Sequence, residues 1–128
     1  MTTIRIISFG FLHSPPPAEA HMVIDLRHHF RDPHINPDFR HLTSSDPRVR
    51  KKVLDTPGIC DLVDAIVSAA VAMASGPSRA DVAVAIGGAG GRHRVPTVAR
   101  AVVERLEEMD QDVMLDPRHT TKPVVERP

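Results

Sequence analysis

The stretch VAVAIGGAGGRHR, residues 82–94, decides the fold, because an apolar run is followed by four glycines and a basic cluster. The run is typical of a buried strand, and the residues after the glycines predict a helix. Pro96 suits a first helical turn, and apolar side chains then recur at helical spacing: Val95, Val98, Ala99, Val102, Leu106 and Met109. Backbone N–H groups of such a turn and helix start can surround a phosphate. The stretch therefore predicts an anion-binding loop.

Other apolar runs predict the rest of the fold. Residues 4–9 and 22–26 read as short strands, and the second is apolar enough for burial on both faces, as parallel strands usually are. Residues 112–115 predict a last strand. Strands that alternate with helices in this way predict an α/β fold, a small, mostly parallel sheet with flanking helices.

Two helices are expected between the second and third strands. Asp46-Pro47 can cap a short basic helix, and Thr56-Pro57 then begins a longer one. Its wide apolar stripe argues for packing on the sheet, and Gly76-Pro77 ends it. Cys60 is expected on its inner side as a small core residue.

Composition limits the class of protein. The chain has 128 residues, 41% of them hydrophobic, which suits one globular domain over residues 1–116 with a flexible tail over residues 117–128. Sixteen acids balance sixteen bases, so no overall field favours nucleic acid or an anionic membrane. One cysteine excludes an internal disulfide framework, and the first nine residues lack the apolar core of a signal peptide. A cytoplasmic location without membrane contact is expected.

The residues suited to ligand binding follow the second and third predicted strands. Ligands of parallel α/β sheets collect outside the carboxyl ends of the strands. If the second and third strands are neighbours, their ends form one pocket suited to a phosphorylated polyol or amino sugar. Arginines and loop amides would bind the phosphate, while a carboxylate would accept from a hydroxyl or pair with an ammonium group. The candidate ligand-binding residues are Asp25, Arg27, Gly88, Ala89, Gly90, Gly91, Arg92, His93 and Arg94.

Each signal has a plainer interpretation. Glycine-rich turns without an anion are common, and Asp25 with Arg27 can be a surface ion pair. His28, His29, His34 and His41 are irregularly spaced without cysteine partners, so no metal and no cofactor is expected. The loop lacks the Lys-Ser/Thr ending of a Walker A motif. Gly88 stands where a phosphatase-type cradle has its cysteine nucleophile, so no catalytic residue is assigned and binding is favoured over turnover.

Three segments together resemble the C-terminal domain of the RapZ (YvcJ) family: SFGF at residues 8–11, VIDLRHHFRDPH at residues 23–34, and VAIGGAGGRHR at residues 84–94. The resemblance covers about residues 4–115. Full-length members carry an N-terminal P-loop kinase-like domain, and this chain has no Walker A motif. Two departures stand out: Gly88-Ala89 replaces the family's usual Cys-Thr, and acidic residues dilute the family's basic tail.

The resemblance implies a regulatory sensor and adapter. Enterobacterial members bind glucosamine-6-phosphate, contribute to oligomerisation, and present small regulatory RNAs to a ribonuclease. The first hypothesis is therefore a non-enzymatic sensor of a phosphorylated metabolite, as a homo-oligomer or with a separate kinase-like partner. The alternative is an RNA-binding adapter that uses the basic segment 27–52. A phosphate-ester hydrolase with His93 as acid or base ranks last.

Overall fold

The computed structural model describes residues 2–30, 46–89 and 93–118. In these ranges the four strands lie in one sheet, in the order β2-β3-β1-β4, with every neighbouring pair parallel. The predicted α/β class, with a small parallel sheet and flanking helices, is confirmed. The elements in chain order are β1 (Thr3–Gly10), β2 (Met22–Asp25), α1 (Pro47–Leu54), α2 (Ile59–Ala74), β3 (Val82–Gly88), α3 (Arg94–Glu108) and β4 (Asp112–Pro117).

The two faces of the sheet are covered by different parts of the chain. Side chains alternate between the faces of a strand. Ile4, Ile6, Val82, Val84 and Ile86 share one buried cluster with residues of all three helices, and we call this side the helix face. The alternate residues Ile7, Phe9, Ala83 and Ala85 pack with Phe11 and Ala20 of the connector, residues 11–21. This second side is the connector face.

The strand order explains the burial of each strand. All seven residues of β3 are buried, because β3 lies between β2 and β1. By contrast, β2 is an edge strand of four residues, and Val23 is 43% exposed. The prediction that β2 is buried on both faces is wrong, because a strand run does not reveal whether a second neighbour or only solvent lies beside it.

The helix starts follow local hydrogen bonds. The Asp46 carboxylate accepts from the Arg48 backbone N–H at 2.9 Å, which confirms it as the cap of α1. The longer helix α2 begins at Ile59, two residues after the predicted Thr56-Pro57 start. Thr56 Oγ1 instead donates to the Lys52 carbonyl at the end of α1. Gly58 caps α2 with φ of 90°, a left-handed conformation that favours glycine.

Cys60 lies in the first turn of α2 and is exposed, so the prediction of a core cysteine is wrong. Its Sγ lies 3.5 Å from the Leu54 carbonyl oxygen. The stripe that does face the core begins with Ile59 and Val63, one residue out of phase with the cysteine.

The C-terminal strand is longer than predicted. β4 reaches Pro117, and the Arg118 backbone N–H donates to the Ser8 carbonyl at 2.8 Å. Residues 119–128 lie outside the described ranges, so the flexible tail remains a prediction. Within the described ranges no single helix is long and apolar enough to span a membrane, although α1 and α2, bent by 83° where they join, pass on length and composition as a pair.

An ion-pair cluster fastens the connector and the end of β4 to β1. Asp116 accepts from Arg5 Nη2 at 2.7 Å and from Arg118 Nη2 at 3.0 Å. Both arginines also lie within 4 Å of Glu19 in the connector, at 3.5 and 3.3 Å. The hydrogen bond from Arg5 is the main reason that the pKa of Asp116 lies below its ordinary value of 3.8.

This lowered pKa predicts a pH-dependent contribution to stability. A carboxylate whose pKa is depressed in the folded state stabilises the fold above its ordinary pKa, and the contribution is lost as pH falls through the folded value. We expect Asp116→Asn to lower the free energy of unfolding by about 1–2 kcal/mol at pH 7. The difference from wild type should shrink as the pH falls below 3.8. Urea unfolding at several pH values measures it.

The control is Asp55→Asn, because the Asp55 carboxylate pairs with Lys51 at 2.6 Å but is 62% exposed. Exposed pairs contribute about 0–1 kcal/mol, so this variant should stay close to wild type. A difference for Asp116→Asn that is the same at pH 7 and pH 3 would contradict the electrostatic explanation.

Candidate functional site

The ends of β2 and β3 lie side by side, as the candidate site requires. Asp25 is the register partner of Gly87, and the Leu26 backbone N–H donates to the Gly87 carbonyl at 2.7 Å. β1 ends beside them, with Gly10 opposite Gly88. We call this edge, where β1, β2 and β3 end, the carboxyl edge. The predicted neighbourhood of the second and third strands is therefore found.

Asp25 and Arg27 form a two-point ion pair at the carboxyl edge. Arg27 Nε lies 3.0 Å from Oδ1 of Asp25, and Nη2 lies 2.8 Å from Oδ2. The Arg27 backbone N–H also donates to Oδ1. The side-chain hydrogen bonds from Arg27 lower the pKa of Asp25, and the same bonds raise the pKa of Arg27. The two predicted ligand groups are thus joined, and each fixes the orientation of the other.

An aromatic pair lies beneath this ion pair on the connector face. The Arg27 guanidinium carbon is 3.8 Å from the centroid of the Phe11 ring, a cation–π contact. Phe11 in turn contacts Phe9, with ring centroids 4.8 Å apart. A Cβ at Gly87 would lie 2.6 Å from both rings, so glycine is needed here for close packing. Phe11 lies in the SFGF motif but is not among the residues predicted for the site.

Arg94 connects the start of α3 to the end of β2. Its Nη1 donates to the Leu26 carbonyl at 2.6 Å. His93 precedes the helix, and its carbonyl accepts from the Thr97 backbone N–H and hydroxyl. The segment 25–27 is therefore held in two ways: Arg94 binds the Leu26 carbonyl, and Arg27 binds the Asp25 carboxylate. Both predicted cations thus make contacts at the carboxyl edge.

The glycines of the loop divide into two groups. Gly87 and Gly88 belong to β3, which runs two residues past its predicted end. The carbonyls of Gly88 and Ala89 accept from the backbone N–H groups of Phe11 and Leu12, so the pairing with β1 continues past the strands. Gly90, Gly91 and Arg92 lie outside the described ranges, and their part in the site stays a prediction.

The position of Gly88 limits what a side chain at this residue could contact. A Cβ there would lie 2.7 Å from Cγ2 of Val95, in the first turn of α3. A side chain at residue 88 would therefore project onto the helix face, where Val95 now fills the space.

Three of the four cations of α1 form ion pairs with acidic side chains of the described ranges. Arg48 pairs with Asp46 at 2.9 Å, Lys51 with Asp55 at 2.6 Å, and Arg50 with Glu104 of α3 at 3.6 Å. Such pairing reduces the positive potential available for RNA phosphates. The remainder of the predicted basic segment, residues 31–45, lies outside the described ranges.

The remaining candidates show no clustering. His28 and His29 are exposed, and His34 and His41 lie outside the described ranges. Among residues 2–30, 46–89 and 93–118, no group of three or more His, Cys, Asp or Glu side chains is placed to hold a metal ion.

The fold and the site define a class: a parallel α/β domain whose polar residues meet where β2 and β3 end beside a helix start. The chain belongs to the RapZ C-terminal domain family, whose model matches residues 2–121. The resemblance drawn from the sequence is thereby confirmed.

Similar proteins carry this domain within longer chains. A nucleotide-binding protein of Mycolicibacterium paratuberculosis is 34% identical over 119 residues, which cover 91% of this chain and 38% of that protein. One from Thermus thermophilus is 39% identical over 106 residues, 80% of this chain and 38% of that protein. A third, from Nitratidesulfovibrio vulgaris, is 34% identical, with 91% and 40% covered. The chain thus spans about two fifths of these relatives.

Proposed function

We propose that this domain is a non-enzymatic binding module for a small phosphorylated metabolite of the amino-sugar phosphate type, bound at the carboxyl edge. The observation that carries the proposal is that two arginines contact residues 25–27 beside the glycine-rich end of β3: Arg27 pairs with Asp25, and Arg94 donates to the Leu26 carbonyl. Guanidinium groups held in fixed orientations favour two-point binding of phosphate oxygens. Membership of the RapZ C-terminal domain family supports a role as a binding and adapter domain.

Asp25 is suited to the sugar part of such a ligand. Its carboxylate is 35% exposed, and the backbone N–H, Nε and Nη2 of Arg27 occupy most of its about four acceptor positions. The remaining capacity would accept from a hydroxyl or from an ammonium group. Because Asp25 neutralises Arg27, the phosphate would depend on Arg94 and on the loop for its remaining charge compensation.

The wider role is that of an adapter. Its relatives are named for nucleotide binding and not for a reaction, which supports a module without turnover. Ligand binding would be reported to a partner in the cytoplasm, such as a ribonuclease with its RNA, a kinase-like protein, or further copies of the chain. RNA as the main ligand is the less favoured candidate, because three of the four α1 cations are paired with acids in the described part of the chain.

Calorimetric titration of the purified chain tests this proposal. The probes are glucosamine 6-phosphate, glucose 6-phosphate, inorganic phosphate, glucosamine, a nucleoside monophosphate and a short RNA. We expect a phosphorylated sugar to bind more tightly than glucosamine, with little change as salt rises. Failure of every phosphorylated small molecule to bind at millimolar concentration would refute the proposal. RNA binding that collapses between low and physiological salt would support the adapter alternative instead.

Arg27→Lys locates the site. Lysine keeps the charge but cannot form the two-point pair with Asp25 or stack flat on Phe11, so we expect binding to weaken about 5- to 10-fold. The matched control is Arg48→Lys, because Arg48 and Asp46 form the same two-point pair at the same spacing, with a backbone N–H donated as well. Equal affinities in the two variants would contradict a site at Arg27.

A further inference from the structure

Ser8 carries a buried hydroxyl without a hydrogen-bond partner among the described residues. The residue is 1% exposed, and its Oγ accepts no donor and donates to no acceptor there. Buried polar groups are nearly always hydrogen-bonded, because an unmet partner costs stability. The other buried hydroxyl of the described core, that of Thr97, follows the rule by donating to the His93 carbonyl. Ser8 is therefore an exception that calls for a physical reason.

The place of Ser8 in the sheet indicates that reason. Ser8 lies two residues before the end of β1, and side-chain alternation puts it on the helix face with Ile4 and Ile6. Its register partner in β3 is Ile86, two residues before Gly88. Val95 of the first turn of α3 rests on Gly88. Ser8 thus lies near the carboxyl edge, on the face of the sheet that α3 covers.

A helix N-terminus and an unpartnered hydroxyl complement each other as an anion site. The first N–H groups of a helix lack intrahelical acceptors, and the helix dipole favours negative charge there. A serine hydroxyl adds a donor that an anionic oxygen accepts. Gly10 and Gly88 end the two strands beside Ser8, and Val95 covers Gly88 on the helix face.

We propose that the Ser8 hydroxyl is a ligand-binding group of this domain. It would donate to the phosphate of the bound metabolite from the helix face of β1. The inference rests on the proposed function and extends it to the helix face. In the ligand-free protein the Ser8 hydroxyl has no hydrogen-bond partner among the described residues, which lowers the stability of the fold but leaves the donor available to the ligand. Binding would supply the missing partner.

Ser8→Ala tests this proposal because it should raise the melting temperature and lower the affinity for the ligand. Removal of an unmet buried hydroxyl should raise the melting temperature of the ligand-free protein by about 2–5 °C. The same change should weaken binding of glucosamine 6-phosphate and of inorganic phosphate about 10-fold or more. Ser8→Cys, which has nearly the same shape but a weak donor, should also weaken binding, and it replaces Ser8→Ala if the alanine variant fails to fold.

Thr97→Val is the matched control, since it removes a buried hydroxyl whose hydrogen bond is made. It should lower the melting temperature and leave phosphate affinity within about twofold of wild type. If wild type binds phosphate and the Ser8 variants bind it equally well, Ser8 holds a water or nothing, and this inference fails while the proposed function stands. If wild type binds no phosphorylated probe, both fail together.

Discussion

Gly87→Ala is expected to lower the free energy of unfolding by about 2–3 kcal/mol, because it overpacks the connector face. The new Cβ would lie 2.6 Å from Cε2 of Phe11 and 2.6 Å from Cζ of Phe9. Both rings are held by their neighbours. Phe9 is fully buried, and Phe11 is held between Phe9 and the Arg27 guanidinium. Relief of the clash would require one ring to leave its position.

Chemical denaturation followed by far-ultraviolet circular dichroism measures this effect, since the chain has no Trp or Tyr for fluorescence. The control is Gly76→Ala, after the end of α2, where a Cβ would lie 3.2 Å from the Met73 carbonyl oxygen. That single contact should cost less than about 1 kcal/mol. Phe11→Leu in the Gly87→Ala background should restore part of the loss. Equal losses for the two glycine variants would disprove the packing argument.

Local periodicity explains why most of the fold could be predicted. The apolar run at 82–86 and the helical spacing after it are properties of short segments, so β3 and α3 follow from sequence alone. Strand order is not such a property. The exposure of Val23 depends on β2 lying at an edge, and the position of Cys60 depends on where α2 begins. α2 begins after Gly58, whose φ of 90° is not helical, and Thr56 before it bonds back to α1.

The candidate site, like the fold, could be predicted from the sequence only in part. Asp25 and Arg27 are two residues apart, and this spacing places both side chains on one face of an extended chain, so their pairing follows from the sequence. The contact of Arg27 with Phe11 does not, because the connector must first fold back over the sheet. Ser8 gives no signal either: a serine in a strand shows neither its burial nor the lack of a partner until the helices are in place.

Arg94→Ala should have the largest effect on ligand binding. If Arg94 binds phosphate from the start of α3, its loss should weaken the binding of glucosamine 6-phosphate about 30- to 100-fold, the range expected for hydrogen bonds to a charged group. The variant should also lower the free energy of unfolding by about 1–2 kcal/mol, because the Leu26 carbonyl loses its donor at 2.6 Å. Calorimetry measures the first effect and chemical denaturation the second.

Arg94→Lys separates these two roles. A lysine can still donate once to the Leu26 carbonyl, so stability should return close to wild type, while two-point phosphate binding stays lost and affinity recovers only in part. Arg100→Ala, on the exposed side of α3, is the control for charge alone and should change neither quantity. If Arg94→Ala destabilises the fold but binds phosphate as tightly as wild type, Arg94 is only a tie between α3 and β2. The loop residues 90–92 would then have to provide the anion site without it.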